Sequence, residues 1–264
     1  MTYCLSALVD AGIVFASDSR THAGVDHVST YSKMHTFAWD GERVLVLLSA
    51  GNLGTTQAVL RQIDLDLADE GVDDLRSLPH LHQVAEYIGR LSLRVQQGLT
   101  SGGMQQSVSF EATFILGGQR RGLAPEMYLI YPQGNYITSS PEQPFFQIGE
   151  TKYGKPILDR IIQPSLSLES AARCALVSID STMRSNLSVG PPIDVLLYSR
   201  DSLRIDRRLR LKTNSPYFMS VRKQWAAGLK RLFEDLPPFD WERQTGQLTL
   251  DTSATGPAGP TERE

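Results

Sequence analysis

"TYCLSALVDAGIVFASDSR", residues 2–20, sets two short apolar runs on either side of the turn signal Asp10-Ala11-Gly12. Such a pattern predicts a β-hairpin with strands at 2–9 and 13–16. A core strand that begins at the second residue is unusual, because chain ends ordinarily fray. Thr2 therefore becomes a candidate for a placed role. Antiparallel return of the second strand brings Asp18 back beside it.

The same signals recur along the chain. "KMHTFAW" (33–39) and "RVLVLLSA" (43–50) flank "DGE" as strand, turn and strand. Apolar residues at helical spacing predict helices over 52–69 and 82–97. Strands follow near 109–116 and 126–131, then helices over 149–162 and 168–185. Paired strands at 193–199 and 202–211 and a closing helix over 217–233 complete the order. Helix pairs between groups of hairpin strands predict an α+β fold. Its expected form is a four-layer αββα sandwich, two antiparallel sheets face to face with helices outside. A single domain over 2–235 is expected, with a C-terminal extension over 236–264. The distal "DTSATGPAGPTERE" has the small-residue, Pro and Gly composition of disorder.

Composition narrows the function classes. The 264 residues carry a net charge of −3, which gives no electrostatic footprint for nucleic acid or an acidic membrane. Two cysteines, Cys4 and Cys174, lie far apart in apolar runs and suit buried free thiols in a reducing compartment. No run is long enough to span a membrane, and the first residues lack a signal-peptide pattern, so a cytoplasmic location is expected. "GETKYGKP" (149–156) nearly spells a phosphate loop, but Pro156 stands where a hydroxyl would hold magnesium. His80 and His82, two apart, would point in different directions on a helix and share no metal. "RIDRRLRLK" (204–212) fits a strand with one solvated face better than a nucleic-acid site. Neither a metal nor a cofactor is expected.

Thr2 offers its own chemistry. Loss of Met1, which a small second residue permits, leaves a hydroxyl nucleophile and a free α-amine on one residue. That amine titrates near ~7.7–8.0 and can take the hydroxyl proton through a water. It needs a cation to keep it neutral and an anion to hold the cation, and Lys33 and Asp18 are of the right type.

Thr2, "GIVFASDSR", Lys33, "SAGN" and "SIDST" together resemble the proteasome β-subunits and their bacterial relatives, the N-terminal threonine hydrolases. More narrowly, "MTYC", "ASDSRTHAGVDHVSTYSKM" and "SNLSVGPPIDVLLY" resemble the bacterial Anbu, or ancestral β-subunit, family. The resemblance runs over residues 2–235 and implies an N-terminal nucleophile hydrolase fold. It implies Thr2 as nucleophile and base, Asp18 as buried carboxylate and Lys33 as tuning cation. Gly51 of "SAGN" matches the oxyanion glycine, and Asp180 of "SIDST" the acid that supports the nucleophile's loop. Ser188 matches the accompanying serine across the insertion "STMRSNL". His22 and Leu53, following the active strand ends, are expected beside the substrate channel. Glu150 marks a departure, because "IGETKYG" stands where the family carries a Gly-Ser-Gly turn. Either it replaces that serine's hydrogen bond or the proton path differs.

The resemblance thus implies a threonine-type peptidase acting through an acyl-enzyme inside a self-associated ring or open spiral. Its partners would be peptide or protein substrates and, in such assemblies, an ATPase or a peptide-forming enzyme. The alternative is a ring-forming scaffold or binding subunit with little hydrolysis.

Overall fold

The computed structural model describes residues 1–22, 28–101 and 109–242. In chain order the strands are β1 (Tyr3–Val9), β2 (Gly12–Asp18), β3 (Arg20–His22), β4 (Val28–Thr30), β5 (Met34–Trp39), β6 (Arg43–Gly51), β7 (Ala112–Arg120), β8 (Glu126–Ile130), β9 (Tyr136–Thr138), β10 (Phe145–Gly149), β11 (Ile193–Ser199) and β12 (Arg207–Leu211). The helices are α1 (Leu53–Leu67), α2 (Leu81–Ser101), α3 (Lys155–Ile161), α4 (Leu168–Ser185) and α5 (Pro216–Glu234). Two five-stranded antiparallel sheets result, ordered β10-β1-β2-β11-β12 and β5-β6-β7-β8-β9, with β3 and β4 as a separate small ladder.

Burial on both faces explains why the strands read as nearly unbroken apolar runs. Along β1, Tyr3, Leu5 and Ala7 join one apolar cluster with Ala171, Ala175 and Ile179 of α4. Cys4 points the other way and, with Ile13 and Phe15 of β2, meets Val46 and Leu48 of β6 and Ile115 of β7. The opposite side of the second sheet, Leu45, Leu47 and Phe114, packs on Val59 and Ile63 of α1 and Val84 and Ile88 of α2. The period-2 geometry of the strands sorts the residues among these clusters. Asn52 caps α1 by accepting from Thr55 N at 3.0 Å, and Ser167 caps α4 by accepting from Ser170 N at 3.2 Å.

Several elements differ from the sequence-based expectation. β2 continues to Asp18 instead of ending at Ala16, because β11 supplies a partner as far as the pair Ile193↔Asp18. The helix expected over 149–162 is shorter: β10 ends at Gly149, and α3 begins only at Lys155. Pairing of β10 with the remote β1 decides this, and local periodicity carries no trace of it. The strand expected from residue 202 begins at Arg207. His80 precedes α2, so its ring stacks on that of His82 with centroids 5.4 Å apart.

Met1–Arg222 and Lys223–Glu264 form two compact units, with the boundary inside α5. In the second, Phe239 and Trp241 stack with ring centroids 4.4 Å apart. The disorder expected of the distal tail falls on residues outside the described ones. Among the described residues no helix is long and apolar enough to cross a membrane.

Candidate active site

The hairpin brings Asp18 to the start of β1. Its Oδ1 accepts from Tyr3 N at 3.0 Å, so the carboxylate touches the residue next to Thr2 through the backbone. Lys33 Nζ donates to the same oxygen at 2.7 Å and to Arg20 O at 2.7 Å. Gly190 N donates to Asp18 Oδ2 at 3.2 Å. Asp18 is fully buried and Lys33 is 6% exposed. Burial raises the Asp18 carboxyl above the ordinary carboxylate range, against the opposing pull of Lys33 and the two backbone N–H donors.

Thr2 is held from the other side by β10. Its carbonyl accepts from Glu150 N at 2.7 Å, and the approach is so close that only glycine fits at 149. A Cβ on Gly149, whose φ is +87°, would stand 2.0 Å from Thr2 O. Below Thr2, Tyr3 Oη shares a hydrogen bond with Ser178 Oγ at 2.7 Å, and Gln147 also donates to it. Ser178 Oγ donates to Gly154 O at 3.1 Å, which ties β1 to α4 and the turn before α3.

A cavity of about 420 Å³ opens over this point, walled by Thr2, Tyr31, Lys33, Ser49, Gly51, Leu53 and Thr56 among others. Gly51 ends β6 at φ +109°, and a Cβ there would lie 2.3 Å from Glu111 O. Thr2, Lys33, Gly51 and Leu53 are thus brought to one cavity, with Asp18 buried behind Lys33. Met1 also lines it and is 62% exposed. The side chain of His22 lies outside the described residues.

Asp180 is placed elsewhere. Its Oδ2 accepts from Arg184 Nε at 3.0 Å and its Oδ1 from Arg222 Nε at 2.5 Å. This buried carboxylate ties α4 to the first turns of α5, and none of its described hydrogen bonds reaches Thr2, Asp18 or Lys33. The i, i+4 spacing of Asp180 and Arg184 was the available sequence signal. Ser188 is not among the cavity-lining residues; its N donates to Asn186 Oδ1 at 2.9 Å. Glu150 is 8% exposed and does not belong to a helix; its Oε2 accepts from Asn186 Nδ2 at 3.1 Å. Asn186 and Gly190 were not anticipated from the sequence. Gly190, before two prolines, carried a turn signal only. Among the described residues no cluster of three or more His, Cys, Asp or Glu could hold a metal ion.

Neither a family model nor a curated protein matches the chain. Solved structures do. The chain is 43% identical to Anbu (ancestral beta-subunit) from Yersinia bercovieri, covering 90% of its own length and 100% of that chain with a TM-score of 0.85. It is 44% identical to a chain from the helical assembly of the Anbu complex of Pseudomonas aeruginosa, covering 90% and 98% of the two chains with a TM-score of 0.86. Against an Anbu (Gly-1) mutant from Hyphomicrobium sp. strain MC1 the identity is 41%, the coverage 91% and 100%, and the TM-score 0.83.

Proposed function

This chain belongs to the Anbu (ancestral β-subunit) family, and from that premise we propose that it is a proteasome-like N-terminal threonine hydrolase of peptide or amide bonds. The three apolar clusters, one between the sheets and one beneath the helices on each outer side, support the αββα sandwich of N-terminal nucleophile hydrolases. A single hydrolase domain over 2–235 goes with this proposal.

One observation carries the function: a buried Lys33–Asp18 ion pair whose carboxylate also binds Tyr3 N, one peptide from Thr2. Once Met1 is removed, the new α-amine lies next to that pair. The Lys33 ammonium disfavours a second positive charge and keeps the amine available as a base. Thr2 Oγ1 attacks the carbonyl carbon and its proton passes to the α-amine, directly or through a water. The oxyanion is stabilised by the N–H of Gly51, which lines the same cavity as Thr2. Collapse returns the proton to the leaving amine and leaves a Thr2 ester, which water hydrolyses. Leu53 flanks the substrate channel. Asp180 and Ser188 are given no step in the chemistry.

The helical assembly named for the Pseudomonas aeruginosa relative supports self-association of this chain into an open spiral or ring that encloses the sites. A bacterial cytoplasmic location, and an ATPase or peptide-forming partner, belong to the same proposal.

The test is to incubate natively expressed, full-length protein with a β-lactone or epoxyketone and to locate the adduct by mass spectrometry. The expected result is a chain beginning at Thr2 with the adduct on that residue. Retained Met1 and an unmodified Thr2 in the assembled protein would overturn it in favour of the scaffold alternative.

A further inference from the structure

Residues 186–190, between α4 and β11, are fastened to two buried carboxylates, those of Glu150 and Asp18. On one side Asn186 Nδ2 donates to Glu150 Oε2 at 3.1 Å, and Glu150 N in turn donates to Thr2 O at 2.7 Å. On the other side Gly190 N donates to Asp18 Oδ2 at 3.2 Å, and Gly190 O accepts from Ser19 N at 3.4 Å and Arg20 N at 3.3 Å. Between these ends, Arg20 Nη1 donates to Leu187 O at 2.7 Å and Ser188 N donates to Asn186 Oδ1 at 2.9 Å.

Asn186 is the junction. Its amide uses its oxygen to shape the turn and its nitrogen to hold Glu150, the residue after β10. Glu150 is 8% exposed, and among the described residues no lysine, arginine or histidine stands within ion-pair distance of it. A carboxylate withdrawn from water in this way depends strongly on the donors it has. The Asn186 amide is its hydrogen-bond donor here, so loss of that donor disturbs both Glu150 and the turn.

We infer that Asn186 is a positioning residue for Thr2 chemistry, linking Glu150, the residue after β10, to the turn whose Gly190 N–H fixes Asp18. This inference rests on the threonine-hydrolase proposal above. It assigns Asn186 no contact with substrate; it acts through the placement of Asp18 and of the Thr2 backbone. Misplacement of reacting groups by a fraction of an ångström to one ångström is costly, so the effect belongs in the chemical step more than in binding.

The swap of the two side-chain types tests it. Asn186→Asp keeps the acceptor for Ser188 N but removes the donor and sets two carboxylates against each other. The double variant Glu150→Gln/Asn186→Asp restores an amide donor facing a carboxylate, with the charge moved to the other partner. Full-length wild type, Asn186→Asp, Asn186→Ala and the double variant are reacted with a β-lactone over a range of concentrations, and melting temperatures are recorded alongside. Both single variants are expected to lower the limiting rate of Thr2 acylation by about tenfold or more with little change in the half-saturating concentration. The double variant should recover most of the loss seen in Asn186→Asp. Single variants that acylate like wild type, or a folded double variant as slow as Asn186→Asp, would overturn the role of Asn186 alone. A wild type that takes no adduct would overturn the threonine-hydrolase proposal and this inference with it.

Discussion

Lys33 Nζ stands 2.7 Å from Asp18 Oδ1, and the Lys33 side chain is only 8% exposed while that of Asp18 is wholly buried. Burial holds the Asp18 carboxyl above the ordinary carboxylate range, so ionisation is delayed on raising the pH. Protonated Asp18 therefore favours the fold. That contribution is complete below the ordinary carboxylate range and is lost as pH rises through the raised value. Acylation of Thr2, which uses the ionised partner of Lys33, runs in the opposite sense. Its acidic limb is expected above the range of an exposed aspartate, in a pH–rate profile of probe labelling. Lys33→Ala and Asp18→Asn should each slow labelling by about 100-fold. Labelling of both variants at the wild-type rate would remove the pair from the chemistry.

Gly149 provides a second test. Any side chain there meets Thr2 O at 2.0 Å, in a backbone conformation with φ +87° that L-residues rarely adopt. The start of β1 would have to move away from β10. Gly149→Ala should lose about 1–3 kcal/mol of stability and lose labelling by a much larger factor than the folded fraction explains. Denaturation and probe labelling on one preparation decide this, and unchanged labelling of folded protein would exclude close constraint at this position.

Much of the site was legible because it is built by a hairpin. Once residues 2–9 and 13–16 are read as antiparallel, the approach of Asp18 to the residue after Thr2 follows from register alone, and the observed pair Cys4↔Ser17 is that register. Gly51 was legible as a glycine between a strand and a helix start. Long-range pairing was not. Glu150 reads locally as the first turn of a helix, but the pairs Tyr3↔Gly149 and Cys4↔Ile148 make the preceding residues a strand. Asn186 and Gly190 lie in a turn whose partners are some 36 and 172 residues away in sequence, a separation that no periodicity encodes.

Cys4 and Cys174 carry a prediction that is independent of function. Both are buried free thiols; burial pushes Cys174 up to about 12 and raises Cys4 above the ordinary thiol range despite nearby Lys33. Thiolate is the reactive form. Neither should be alkylated by iodoacetamide in folded protein at neutral pH, and both should react in denaturant. Rapid native labelling of Cys4 would mean that the space between the sheets admits solvent beneath the candidate site.

Asp180 separates a structural acid from a catalytic one. It is 1% exposed, and both its oxygens are engaged, one by Arg184 four residues along α4 and one by Arg222 of α5. Removing Arg222 leaves a buried carboxylate with half its support, because Arg184 remains and its own side chain is 55% exposed. Arg222→Ala should therefore cost about 1–3 kcal/mol of stability. Asp180→Asn should destabilise by a similar amount, since both arginines lose their anion. Neither change alters a group that touches Thr2, Asp18 or Lys33. The rate of Thr2 acylation per folded molecule should stay within about twofold of wild type, a difference below ~0.4 kcal/mol in the barrier. Stability comes from denaturant melts and the rate from probe labelling at a temperature where all variants are folded. A fall in labelling of Asp180→Asn of tenfold or more, with Arg222→Ala unaffected, would return Asp180 to the nucleophile's neighbourhood.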